Sequence, residues 1–271
     1  MIDKLEDVYF SQAALAAYQT CPLKFRYRYL DNLGWLRPGP DEGKQTERLL
    51  GEQFHILAQR YFQRVDLTAL RQSVTSGVLV EWFNNLTKRF PLESNVCYYP
   101  EQEIRVNQQG LKLMAKYDLL AAHTNGRVVI YDWKTPAKPL KNSPRTLQGK
   151  IYPLVLWEAA LHGITRQEAI TMVFWNPRFP DQEQVLGYDQ LLYLADREEV
   201  TKLISTIRKK EYRDFYGIKP EVGEPPKDCG YCEFKLLCYD ADEIREGTRA
   251  ELELDGAFDW DSIIEIPYKE A

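Results

Sequence analysis

The spacing of hydrophobic positions changes character several times along the chain, and each change marks an element. Residues 9–30, YFSQAALAAYQTCPLKFRYRYL, read as a helix opened by Ser11, broken at Cys21-Pro22 and then resumed. Pro22 suits a first helical position, where its missing N–H costs nothing. Residues 34–44, GWLRPGPDEGK, form a Gly/Pro-rich loop. Its Gly39…Gly43-Lys44-Gln45 is one residue short of a phosphate-binding loop and lacks the Ser/Thr, which excludes that motif. Residues 46–65 place Leu50, Phe54, Leu57, Ala58, Tyr61 and Val65 on one side of an amphipathic helix, and a further helical region covers about 68–89. The period then falls to two. Strands are predicted over 98–107, 111–121 and 127–134, with turns at Gln109-Gly110 and Asn125-Gly126, the latter a strong hairpin signal. A proline-bearing loop, TPAKPLKNSPR, precedes a helix over about 145–162, strands over 168–176 and 183–188, and a long helix over about 189–211. The order predicts an α/β fold, a mixed central sheet flanked by helices, with no internal repeat.

Composition narrows this picture little. Apolar residues make up 44% of the 271, enough for a core and too many for general disorder. No apolar run approaches the ~20 residues of a membrane span. The opening MIDKLEDVYF lacks the basic and apolar regions of a signal peptide, so a cytoplasmic location with no membrane contact is the expectation. Charge matters more. The net of −5 conceals a division: from Tyr239 onward there are 11 acids and 3 bases, whereas residues 1–238 hold 29 acids and 32 bases. The acidity belongs to a tail, 241–271, read as a solvated segment or one that competes with phosphates for the basic body. Within that body Lys24, Arg26 and Arg28 alternate with Phe25, Tyr27 and Tyr29. Such a mix can hold a nucleic-acid backbone by charge and bases by stacking; half of it also fits an ordinary amphipathic helix.

Candidate chemistry gathers around the strand RVVIYDWK. On a strand, positions i and i+2 share a face, so Asp132 and Lys134 point one way and Trp133 the other. The turn at Asn125-Gly126 brings Asp118 across from residue 132 or 133, to within a residue or two. Two carboxylates and an ammonium then crowd one place, which is costly unless a divalent cation joins the carboxylates. His55 lies four residues after Gly51 on the preceding helix, and Gly51 lets that helix approach the sheet. Gln148 and Tyr152, four apart on the helix that follows, project beside Lys134. Taken singly, each of these patterns also fits an ion pair or an amphipathic boundary.

Five cysteines complete the inventory. A cytosolic chain keeps them reduced, and three of them, Cys229, Cys232 and Cys238, fall within ten residues, which points to metal. Cys21 is the best fourth ligand, being presented before a proline at a helix start. Cys97, at the head of a strand, reads as a buried thiol. Four cysteines suit Zn²⁺ or an iron–sulfur cluster equally by number.

The ordered set Gly51-x3-His55, Asp118, Asp132-Trp133-Lys134-Thr135 and Gln148-x3-Tyr152 resembles the RecB-like branch of the PD-(D/E)xK nuclease superfamily over about residues 9–240. The opening Ser11…Leu15…Tyr18…Cys21-Pro22…Phe25 and closing Cys229-x2-Cys232-x5-Cys238 resemble its cluster-bearing members. Among these are the AddB nuclease domain and the single-strand nuclease of CRISPR spacer acquisition. The resemblance implies a restriction-endonuclease-like nuclease domain over 1–240, with the cysteine cluster packed against the N-terminal helix and an acidic tail over 241–271. It implies a Mg²⁺- or Mn²⁺-dependent deoxyribonuclease in which His55, Asp118, Asp132 and the Trp133 carbonyl hold the metal. Lys134 would position or deprotonate the attacking water, Gln148 and Tyr152 would orient the strand or support Lys134, and Cys21, Cys229, Cys232 and Cys238 would bind a 4Fe–4S cluster in preference to zinc. Implied partners are single-stranded DNA or duplex ends, with a helicase or other repair or adaptation proteins. A different class, a catalytically silent DNA-binding or scaffold subunit of a helicase–nuclease machine, is the alternative, and the intact Asp118, Asp132 and Lys134 argue against it. Two departures stand out: Ala115 replaces the glycine usual three residues before the first aspartate, and Pro153 lies inside the helix after Tyr152.

Overall fold

The computed structural model describes residues 3–33, 42–140, 145–160, 170–217, 229 and 232–238. The acidic tail and parts of the loops at 34–44 and 135–145 lie outside them. The chain divides into two compact units, the first holding the sheet and running to Tyr216, the second holding the C-terminal cysteines.

The first unit opens with helix α1 (Asp3–Asp7) and α2 (Gln12–Thr20), whose N-cap Ser11 accepts from Ala14 N at 3.1 Å. Cys21 ends α2 in extended backbone and starts α3 (Pro22–Phe25), which widens into a π-helical turn over Arg26–Leu30. Helix α4 (Glu42–Phe62) follows. The helical region beyond it is two helices, α5 (Leu67–Ser73) and α6 (Gly77–Arg89). The break falls where β-branched Val74 and Thr75 meet Ser76, the N-cap of α6.

Strands β1 (Val96–Gln108), β2 (Leu111–His123), β3 (Val128–Trp133), β4 (Ile170–Trp175) and β5 (Glu183–Tyr188) form one sheet in sequence order. All neighbours are antiparallel except β3 and β4, which are parallel and connected through helix α7 (Leu147–Ala160). The sheet is therefore mixed, and only the crossover forces a helix onto its face. Helix α7 continues through Pro153 and is apolar nearly all round, because it packs against the sheet on one side and against α2 and α8 (Gln190–Arg208) on others.

Two cores result. Phe10, Leu15, Phe25, Leu113, Ala115, Tyr117, Ile130, Ile151, Leu154, Met172 and Phe215 pack between the sheet, α2 and α7. Phe54, Leu57, Trp82, Phe83, Leu119, Trp133 and Trp175 pack where α4 and α6 cover the other side. β2 belongs to both. Leu111, Leu113, Ala115 and Tyr117 face the first core, then Leu119 joins the second and Leu120 the first. β1 changes in step, with Ile104 and Val106 toward the first core and Tyr98 toward the second. The change centres on Glu101, a non-glycine residue at φ +54° with no partner in the ladder, although Pro100↔Leu119 and Gln102↔Tyr117 pair on either side of it. Register continues while the pleat reverses, and Glu101 falls opposite Asp118.

Two expectations are corrected here. Cys97 is exposed, because β1 is an edge strand and residue 97 alternates away from buried Val96. Phe25 is fully buried among Phe10, Tyr18, Tyr29 and Phe215, so its ring is core and is not offered to a nucleic-acid base. No helix among the described residues is long and apolar enough to cross a membrane. In the second unit Cys232 N donates to Cys229 O at 3.2 Å, and helix α9 (Lys235–Cys238) follows.

Candidate active site

The alternation of β3 sends Trp133 and Asp132 to opposite faces. Trp133, 3% exposed, is gripped by Phe62, Phe90, Tyr131 and Trp175 at ring separations of 5.4–6.0 Å. That grip orients the strand end, and Lys134 N continues the parallel pairing by donating to Trp175 O at 2.8 Å. Asp118 lies across from Asp132. The antiparallel ladder stops at Leu119↔Tyr131, and the next backbone donor, Trp133 N–H, is taken by Asp118 Oδ2 at 2.7 Å.

Helix α4 delivers the histidine. A Cβ added at Gly51 would stand 2.8 Å from Thr135 Oγ1, so only glycine allows this close approach of helix and strand end. One turn later His55 Nδ1 reaches Asp118 Oδ1 at 3.3 Å. Burial acts to lower the imidazole's pKa, but the hydrogen bond and negative charge of Asp118 outweigh it, and the result is raised.

Asp132 is 3% exposed. Gln148 Nε2 donates to its Oδ1, Lys134 Nζ sits 2.6 Å from its Oδ2, and Gln148 Oε1 accepts from Lys134 Nζ at 2.8 Å. One glutamine on α7 thus holds both members of the Asp-x-Lys pair. The Lys134 ammonium is the charged partner of Oδ2, which no other donor among the described residues reaches. Burial pushes the Asp132 carboxyl up to about 6, with Lys134 opposing and Asp118 reinforcing the rise. Tyr152, one turn after Gln148, has its phenol raised by burial and then by the Asp132 charge, so it remains a hydrogen-bond donor.

Sequence reasoning missed Glu101. Its carboxylate joins His55 and Asp118 in a group whose donor atoms all lie within 4.8 Å of one another, and Asp132 stands outside that group. Such a span suits one hard cation with oxygen and imidazole ligands. Asp132 is one strand over from Asp118, its buried Oδ2 held by Lys134. Lys116 Nζ holds Glu101 Oε2 at 2.7 Å. His55, Glu101, Lys116 and Asp118 line a cleft of about 770 Å³ with Arg48, Gly51, Glu52, Ile56, Gln59, Thr135 and Tyr152. The signal in the sequence was the slip of alternation at Asp118-Leu119-Leu120, which marks where the strand pair turns its face.

Lys24, Arg26 and Arg28 do not line this cleft. Arg26 Nε pairs with Asp31 Oδ2 at 3.2 Å, and its guanidinium lies 4.4 Å from the Tyr212 ring.

No curated protein matches the chain. Among solved structures, a Eubacterium rectale protein named only provisionally as an exonuclease is 12% identical, with 89% of this chain and 92% of that one covered at a TM-score of 0.49. The crystal structure of SSO0001 is 16% identical, with 87% and 92% covered at a TM-score of 0.40. The family model of the PD-(D/E)XK nuclease superfamily matches residues 9–239, which include the whole span from Phe10 to the last cysteine, Cys238, and the chain belongs to that superfamily.

Proposed function

We propose that the chain is a Mg²⁺- or Mn²⁺-dependent deoxyribonuclease of the RecB-like, cluster-bearing branch, acting on single strands or duplex ends in repair, recombination or CRISPR-type DNA processing. The observation that carries this is the His55–Glu101–Asp118 donor group at the cleft, tied through the Asp118–Trp133 hydrogen bond to the strand end that bears the Asp132–Lys134–Gln148 set. A divalent cation, when bound, supplies a nucleophile at neutral pH and offsets charge on the phosphate. His55, Asp118 and Asp132, with the Trp133 carbonyl, are the residues proposed to hold it.

The chain's own groups do the rest. Lys134, fixed by Gln148 and Asp132, presents a positive charge to the phosphate and can hold the proton of an attacking water. Gln148 keeps Asp132 and Lys134 in one orientation. Tyr152, protonated through burial, can donate to a strand lying in the cleft. A group preorganised in this way loses little on reorganisation as charge develops.

The nuclease domain is proposed to span 1–240, with Cys21, Cys229, Cys232 and Cys238 as ligands of a 4Fe–4S cluster; the spacing Cys229-x2-Cys232-x5-Cys238 supports this. A helicase or another repair or adaptation protein is the proposed partner. End-labelled single- and double-stranded DNA, incubated with Mg²⁺, with Mn²⁺ and with chelator, tests the activity. Cleavage should require the metal, and metal-independent cleavage or none on either substrate overturns the proposal. Anaerobically purified protein should be brown, and a colourless protein with stoichiometric zinc overturns the cluster assignment.

A further inference from the structure

Two carboxylates that line the cleft, Glu101 and Asp118, and the buried Asp132 each stand against a basic side chain. Glu101 faces Lys116 at 2.7 Å, Asp118 faces His55 at 3.3 Å, and Asp132 faces Lys134 at 2.6 Å. Lysine charges therefore already offset two of these carboxylates. A divalent ion entering among the same carboxylates makes those cations redundant, and the weakest-held of them must give way. Lys134 is tied by Gln148 and His55 is itself a donor, whereas Lys116 is 59% exposed and has only Glu101 at ion-pair distance.

We propose that Glu101 is a direct ligand of the catalytic cation and that Lys116 is its latch, competing with the metal for Glu101 and turning to a DNA phosphate once displaced. Glu101 and Asp118 are opposite one another where the pleat reverses, and the donor group of Glu101, Asp118 and His55 is compact enough for one ion. Lys116 is two residues from Asp118 on an exposed part of β2, so its ammonium moves between Glu101 and a strand in the cleft by side-chain rotation alone. Metal uptake and substrate grip then become coupled: the ion that takes Glu101 frees a positive charge for the next phosphate.

The inference rests on the reading of the cleft as a divalent-cation site, and the test separates the two. Mn²⁺ is titrated into the full chain without DNA and followed by electron paramagnetic resonance or calorimetry, for the wild type and for Glu101→Gln, Lys116→Met, Asp118→Asn and His55→Ala, each checked by circular dichroism. Loss of a ligand should weaken Mn²⁺ binding by about 10- to 100-fold in Glu101→Gln. Removing a half-exposed competitor should tighten it by about two- to five-fold in Lys116→Met. These opposite signs cannot both come from partial unfolding. Unchanged binding in Glu101→Gln, with Asp118→Asn and His55→Ala weakened, overturns the ligand role while leaving the nuclease reading intact. Weaker or equal binding in Lys116→Met overturns the latch. Unchanged binding in all four removes the cation site itself, and the inference goes with it.

Discussion

Helix α7 stands between two sets of equally buried carboxylates with opposite fates. On its α8 side Asp196 is 0% and Glu158 1% exposed; on its cleft side Asp132 is 3% exposed. Asp196 receives both terminal nitrogens of Arg145, one on each oxygen, at 2.5 and 2.9 Å. Glu158 Oε1 accepts from Arg197 Nε at 2.8 Å and Tyr193 OH at 3.0 Å. A guanidinium fork matches the two oxygens of a carboxylate and leaves nothing over. Asp132 instead has an ammonium, a point charge, on Oδ2 and one amide on Oδ1. Burial is therefore no guide to role. What separates the structural clasp from the candidate site is whether a guanidinium fork or a single ammonium holds the buried acceptor.

The comparison breaks most readily on the clasp side. Arg145→Ala strands the buried Asp196 carboxylate, and thermal or urea unfolding should show a loss of about 3–5 kcal/mol. DNA cleavage per folded molecule should change little. A melting point near wild type would mean that the fork is decorative. On the cleft side the balance reverses: Asp132→Ala and Lys134→Ala should each lower Mg²⁺-dependent cleavage by about 10²–10³-fold or more with the fold retained. Initial rates on end-labelled DNA measure this, and wild-type-like cleavage by either variant removes these residues from the reaction.

Acidity sharpens the contrast. The Asp132 carboxyl sits near 6 in the metal-free fold against an ordinary value of 3.8, so the folded chain binds this proton more tightly than the unfolded chain. Its contribution is therefore greatest below pH 4 and is lost as pH rises from about 4 to about 6, at a total cost near 3 kcal/mol. In chelator, Asp132→Asn should flatten that fall in stability, and Mg²⁺ at pH 7 should raise the wild-type melting temperature more than the variant's. Parallel pH profiles for the two proteins would contradict the raised pKa of Asp132. The smallest effect belongs to the tail. Removing residues 240–271 shifts the net charge from −5 to +3. Affinity for a short single strand, measured in chelator, should rise a few-fold at low salt and converge with the full chain at high salt, where charges are screened beyond ~10 Å. Equal affinity at both would make the tail a bystander.

Much of the frame was legible because local rules wrote it. Ser11 before an apolar run and Asn125-Gly126 between strands each act within a few residues, and the structure shows Ser11 capping its helix. The Asp-x-Lys alternation likewise predicted Trp133 inward and Asp132 beside Lys134, since side chains two apart on a strand share a face. Cys97 and Phe25 went wrong for two opposite reasons: an edge strand leaves apolar positions in solvent, and an aromatic among basic residues can still be drawn into a core.

By itself, then, the sequence determined the order of helices and strands, the mixed sheet, the turn that sets Asp118 across from Asp132, and the ordered motif that carries the resemblance. Each depends on periodicity or on residues close in the chain. Only tertiary structure decided that Glu101 joins His55 and Asp118, that Lys116 holds it, that Gln148 clamps Asp132 and Lys134 together, and that Asp132 has an ammonium partner while Asp196 has a guanidinium fork. Those facts depend on the pleat reversal at a residue with φ +54° and on which side chain arrives from a distant helix. A carboxylate's partners are set by geometry across the fold, and nothing within a few residues of it specifies them.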